Sequence, residues 1–239
     1  MAEREHLLIG KHEERAPWKI SDVLFTYVFI FALSIFAVGI LLITNIDTQT
    51  SLFPALLQVI ISVATISVIY LIVTKKYNIH FFDAFGISIQ KIPNALTTGI
   101  VVSIILILST TIISYAFSEF AEVQKQNPYG NVPMEKLRII SIMAVFIAPI
   151  IEEIFFRGFM QPALVKVLGV FGGIFVTAMI FGFSHAQYLG YSTALVAVIT
   201  IGLILGITRH QTGSVMPGIF AHLFNNLLAA ISLLFVNAQ

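Results

Sequence analysis

Long apolar runs dominate this chain and constrain its fold more than any other feature. Seven stretches, at about 21–44, 51–74, 95–118, 138–161, 168–187, 190–208 and 215–236, are long and apolar enough, or nearly so, to cross a bilayer. A spanning helix takes roughly 20 mostly apolar residues. Inside hydrocarbon every backbone N–H and C=O needs an internal partner, which leaves helices as the natural solution for single runs of this length. The expected fold is all-α, a polytopic membrane bundle of about seven to eight transmembrane helices. Composition agrees, with 58% hydrophobic and 10% charged residues against about a quarter charged in soluble domains. A net charge of +1 and no basic stripe argue against nucleic acid as a partner; the expected partner is membrane lipid. The lack of cysteine removes disulfides, thiol catalysis and cysteine-ligated zinc.

The opening "MAEREHLLIGKHEERAPWK" mixes acids and bases, and the apolar run behind it is too long for a cleaved secretory signal, so it is expected to stay as the first span. Lys and Arg placement sets orientation. Arg4, Lys11, Arg15, Lys19, Lys75, Lys76, Lys91, Lys166 and Arg209 collect on one side, and only Lys125, Lys136 and Arg138 on the other. This predicts an integral, multi-pass protein with a cytoplasmic N-terminus, with Trp18 before the first span as an interfacial anchor; the compact chain points to a bacterial plasma membrane. The connection 75–94 alternates aromatic and polar residues, as an amphipathic connector does, and is suited to lying along the membrane surface. The connection 118–136 contains the turn signal "NPYGN". It divides the chain into residues 1–136, an N-terminal tail with three peripheral transmembrane helices, and residues 137–239, a four-helix core that holds every unusual residue.

Those residues are few. "PIIEEIFFRGFM" places Glu152, Glu153 and Arg157 in an apolar run, where a charge at the bilayer centre costs about 2.5–3.5 kcal/mol even on the lenient insertion scale. Glu153 and Arg157 are spaced to pair on one helix face; Glu152 lies about 100° around the helix without a local partner. "FGFSHAQ" adds His185 with Phe181 one turn earlier, and "AHLFNNLL" adds His222 and Asn226 on a shared face, with Asn225 pointing elsewhere as a packing residue. Each piece alone has a bland reading: a structural ion pair, an interface histidine, interhelical hydrogen-bonding glue. Together they supply a carboxylate to deprotonate water and donors for a developing oxyanion, the parts needed to hydrolyse an amide. No GxSxG and no HExxH accompanies them, so the nucleophile is expected to be water.

The ordered set EExxxR (Glu152, Glu153, Arg157), FxxxH (Phe181, His185) and HxxxN (His222, Asn226) resembles the CPBP intramembrane proteases, also called the Abi or CAAX protease and bacteriocin-processing family, which includes the type II CAAX prenyl endopeptidases. The resemblance covers roughly residues 138–236. It implies an intramembrane endopeptidase acting on a membrane-associated protein or peptide, in some relatives a prenylated one. It implies Glu152 as general base, His185 helping to hold the water, Glu153 and Arg157 as orienting groups, and His222 and Asn226 binding the carbonyl oxygen. Phe181 would shape the pocket wall or simply fill the core. Relatives have been described both as metalloproteases and as metal-free glutamate proteases. Zinc, if held, would sit on Glu152, His185 and His222 with one open position; the missing compact zinc motif tilts the reading toward the metal-free form. The alternatives are a non-catalytic membrane scaffold or bacteriocin-immunity factor, and a proton-coupled transporter, against which the lack of an internal repeat argues.

Four-residue glycine spacings, Gly169/Gly173 and Gly202/Gly206, predict close helix packing. One expectation is awkward. Along straight helices Glu152 falls near mid-membrane and His185 near the external end of its span, about 10 Å apart in depth. Either the fifth span is displaced or broken near Gly182 or Gly190, or the boundaries shift, and Pro149 and Pro162 bracket the glutamates where they can reshape the fourth span.

Overall fold

The computed structural model describes residues 16–44, 53–117, 132–185, 188 and 191–236. The NPYGN turn and Gly190 lie outside the described residues. The described chain is helical throughout: α1 (Ile20–Thr44), α2 (Phe53–Leu71, closing in a π-helical turn Ile72–Lys76), the short α3 (Phe81–Ala84), α4 (Ile92–Ala116), α5 (Met134–Phe146), α6 (Ala148–Glu152), a π-helical segment Glu153–Met160, α7 (Gln161–Phe183), α8 (Ser192–Thr212) and α9 (Met216–Val236). Among the described residues, six helical stretches qualify by length and composition as membrane spans: Ile20–Thr44, Ala55–Lys76, Phe81–Ala116, Met134–Phe183, Ser192–Thr212 and Met216–Phe235.

The fourth of these runs for 50 residues and is not one rod. At Gly169 the backbone leaves the helix with φ 72° and ψ 172°, a region open essentially to glycine alone. The chain there doubles back. A Cβ placed on Gly173 would lie 2.5 Å from the Val165 backbone nitrogen, whereas eight residues along a straight helix span about 12 Å. Arg157 lies over the Phe181 ring at 4.1 Å. Both pairs stand symmetrically about Gly169, so the two limbs run antiparallel. The hairpin thus divides the run into the fourth and fifth stretches expected from the sequence. It also corrects their ends and the depth problem. The second limb has only the 14 residues 170–183 in helix, about 21 Å long, too short for a hydrocarbon layer of about 30 Å. Glu152 is 17 residues before Gly169 and His185 is 16 after it, so the two stand at nearly the same height. The straight-helix estimate failed because it started the limbs at the wrong residue; the break is at Gly169, not near Gly182.

Without a strong hydrophobic drive between helices in lipid, association rests on close packing and hydrogen bonds. Gly202 of α8 lies against Ala178 and Gly206 against Ile174 and Gln161, while Gly99 of α4 admits Phe220 and the Pro217 carbonyl of α9. Outward faces of α1, α2 and α4 carry exposed Leu, Ile, Val and Phe, the surface a bilayer solvates.

The front half is stitched to the back by polar and aromatic contacts. The buried Asp22 carboxylate accepts from the Lys19 N–H at 2.9 Å, a reach-back that satisfies one donor at the start of α1. It also accepts from Tyr77 Oη at 2.6 Å and from the Lys76 ammonium, fastening α1 to the end of α2. Trp18, expected at the lipid interface, points inward instead. It is 1% exposed, stacks on Phe159 with ring centroids 5.5 Å apart and donates its indole N–H to the Phe159 carbonyl at 2.7 Å. The connector 75–94 does not simply lie along a surface. Phe82 and Ile89 are exposed, but Phe85 is fully buried and meets the space beside Gly158. Its carbonyl accepts from the Val215 N–H at 3.1 Å, and the Gly86 carbonyl accepts from Ser214 Oγ at 2.7 Å.

If the positive-φ turn makes the hairpin, Gly169→Ala should lower stability by about 1–3 kcal/mol. Gly39→Ala, in a helix and with nothing near its added methyl, should be neutral or stabilising by less than about 1 kcal/mol. Thermal melts of the two variants in detergent check this; equal melts would show that the turn tolerates a side chain.

Candidate active site

Proline shapes the acidic helix. α5 ends at Phe146 and a turn at Ile147 precedes Pro149, which can return no N–H to the preceding turn. Downstream, Pro162 would press its ring on the Gly158 carbonyl in an α-helix. The chain there is π-helical from Glu153 to Met160, with the Gln161 N–H bonded to the Phe156 carbonyl five residues back. Such widened turns recur at functional sites. Here the π segment carries Glu153 and Arg157, and Glu152 sits on its first shoulder.

Glu153 and Arg157 form an ion pair, Nη1 to Oε1 2.9 Å, with both side chains wholly buried. Arg157 Nη2 also donates to the Gly202 carbonyl of α8 at 3.4 Å. Gly202 itself packs against Ala178 on the second limb of the hairpin. On its other side the Glu153 carboxylate lies against the first turn of α9: a Cβ on Gly218 would come within 2.5 Å of its Oε2. That position adds the favourable field of a helix N-terminus. Gln161 repeats the pattern one turn further along, donating to the Gly206 carbonyl at 3.0 Å.

His222 of α9 joins the two acids. Its Nδ1 is 3.4 Å from Glu153 Oε1 and its Nε2 3.7 Å from Glu152 Oε2. The two glutamates differ in access: the Glu152 side chain is 26% exposed and that of Glu153 is 0% exposed. Of the two, only Glu152 has side-chain surface that is exposed, although its Oε2, facing His222, is covered. His185 follows the end of the short limb. Its Nδ1–H donates to the Phe181 carbonyl at 2.8 Å, and its ring stacks with Tyr188 at 6.3 Å. Because a carbonyl only accepts, that bond assigns the proton to Nδ1 and leaves Nε2 of the neutral ring as an acceptor. The Phe181 ring lies between the two imidazoles, 4.7 Å from His185 and 6.0 Å from His222.

Asn226 lies one turn beyond His222 on α9. Its Nδ2 donates to the Ala144 carbonyl at 2.8 Å, tying α9 to the last turn of α5 above the Pro149 break. A metal fits poorly. Among the described residues no three His, Cys, Asp or Glu side chains gather to hold an ion, and Glu152 and His222 form a two-donor set, so no chemical step is routed through zinc. Sequence reasoning missed Gly218, Gly202 and Trp18 as parts of this site's support. The glycine spacings hinted at the second; nothing local marked the other two.

Removing one member of the buried pair should be far worse than removing both. Glu153→Gln leaves Arg157 without its ion-pair partner, at an expected cost of about 3–5 kcal/mol. Glu153→Gln with Arg157→Met should recover a large part of that loss in a detergent melt; a double variant no better than the single one would contradict the pairing.

Neither a curated protein nor a solved structure matches the chain. A family model does, across the segment that holds all three motifs. Over residues 135–228 this chain matches the family model described as Type II CAAX prenyl endopeptidase Rce1-like.

Proposed function

We propose that this protein is an intramembrane endopeptidase that cleaves a membrane-associated, lipidated protein or peptide, using Glu152 to activate water. The observation that carries the reading is the pairing of a water-accessible glutamate, Glu152, with the buried imidazole of His222 at 3.7 Å, inside the segment that matches the CAAX endopeptidase family. A structural ion pair accounts for Glu153 and Arg157 by itself. It leaves Glu152 and His222 unexplained, and a second carboxylate in hydrocarbon is costly to keep for packing alone.

Glu152 is the base and His222, beside it, the donor. Glu152 takes a proton from water as the water oxygen bonds to the scissile carbonyl carbon, and the carbonyl oxygen becomes an oxyanion. His222 donates to that oxygen. The proton on Glu152 passes to the leaving nitrogen as the C–N bond breaks, giving a carboxylic acid and an amine. His185 Nε2 accepts a hydrogen bond from the attacking water and aims its lone pair. Asn226 acts here through α5, holding α9 so that His222 stays beside the acids. The substrate class follows the family description, a prenylated chain end lodged in the bilayer. The basic loops support a cytoplasmic N-terminus.

Purified Glu152→Gln protein should cleave at least about 10²–10⁴-fold more slowly than wild type, and His222→Ala about 10²–10³-fold more slowly, with unchanged melting. Mass spectrometry of cleavage sites in farnesylated and unmodified membrane peptides, with and without chelator, checks this. Full activity in Glu152→Gln would remove Glu152 from its assigned role.

A further inference from the structure

The Phe181 ring has an unusual number of charged or polar neighbours for a core phenylalanine. It is 1% exposed. The Arg157 guanidinium carbon lies 4.1 Å from its centroid, close stacking on the electron-rich face. Phe156 meets it at 5.1 Å with planes near perpendicular, and both imidazoles lie against it as described above. Arg157 needs such a neighbour. Its Nε has no hydrogen-bond partner among the described residues, and apart from Glu153 its one polar contact there is the long bond to the Gly202 carbonyl. The ring face covers a cation that hydrogen bonds only partly satisfy.

The placement also decides between two carboxylates. Glu152 and Glu153 are adjacent, and an arginine side chain free to swing can pair with either. Arg157 pairs with Glu153. We propose that Phe181 is a positioning residue: its ring face holds the Arg157 guanidinium on Glu153 and away from Glu152, leaving Glu152 unpaired with arginine. Hydrophobic bulk alone does not do this, because an aliphatic side chain of similar volume offers no negative face. The positioning role rests on the proposed use of Glu152 as base; the ring–guanidinium contact does not.

The test uses the full chain with Phe181 replaced, by nonsense suppression, with phenylalanines bearing one, two and three ring fluorines. Fluorine drains the ring face of electron density and changes its shape little, so a cation contact weakens step by step. The expected result is a melting temperature in detergent that falls with each fluorine in the Arg157 chain and stays level in Glu153→Gln/Arg157→Met. In parallel, kcat/KM on a peptide cleaved by the wild type should fall about tenfold from phenylalanine to the trifluoro ring, mainly through kcat. A level or rising melting series in the Arg157 chain would overturn the proposal, and it decides the matter even if the double variant fails to fold. A falling melting series with constant kcat/KM would reduce Phe181 to packing and overturn its positioning role. If the wild-type chain cleaves no peptide, the protease reading fails and the positioning role falls with it, while the melting series still decides the ring–guanidinium contact.

Discussion

A fully buried Glu153–Arg157 pair in a membrane bundle is the constraint around which the back half is built. Taking two charges out of water costs several kcal/mol per ion even after relaxation, so each must be surrounded on every side. The surroundings come from three elements. Arg157 takes the Gly202 carbonyl of α8 and the Phe181 face on the opposite limb of the hairpin. Glu153 takes the N-terminal turn of α9, where the missing side chain of Gly218 makes room. None of these partners is near in sequence, and the approach of α9 to Glu153 depends on Gly218. The pair therefore depends on the fold as much as it stabilises it.

That arrangement also separates the two acids by task. Glu153 is spent on structure, locked against arginine and shut from water. Glu152, one residue earlier, stands on the shoulder where α6 passes into the wider π segment, and turns toward His222 and a partly open side. About a hundred degrees of helix rotation separates a wholly buried, arginine-paired carboxylate from a partly exposed one beside His222. The proline on either side of the doublet fixes where the widening begins and ends, so the distinction follows from local backbone chemistry.

Much of this was legible in the sequence and some was not, for physical reasons. The membrane class follows from run length alone, and the family resemblance from three ordered motifs that the family match then covers. The i, i+4 spacing of Glu153 and Arg157 announces their pairing because it is a local relation. Gly169 was hidden: a G-x-x-x-G spacing looks the same whether the first glycine packs or turns, and only its φ of 72° distinguishes them. The height of His185 was misjudged for that single reason. Trp18 near an apolar run has the look of an interfacial anchor, yet its indole finds the Phe159 carbonyl 141 residues away, which no window of local sequence contains. Asn226 likewise meets Ala144 across 82 residues.

The hairpin at Gly169 carries one more consequence. Because both arms are measured from the same bend, the stretch from the acidic doublet to His185 behaves as a folded ruler with its zero at that glycine. An insertion of one residue in either arm alone would slide its far end by about 1.5 Å and turn it by about 100°, taking Glu152 and His185 out of step. The interval between acid and imidazole is thus a length as well as a set of letters.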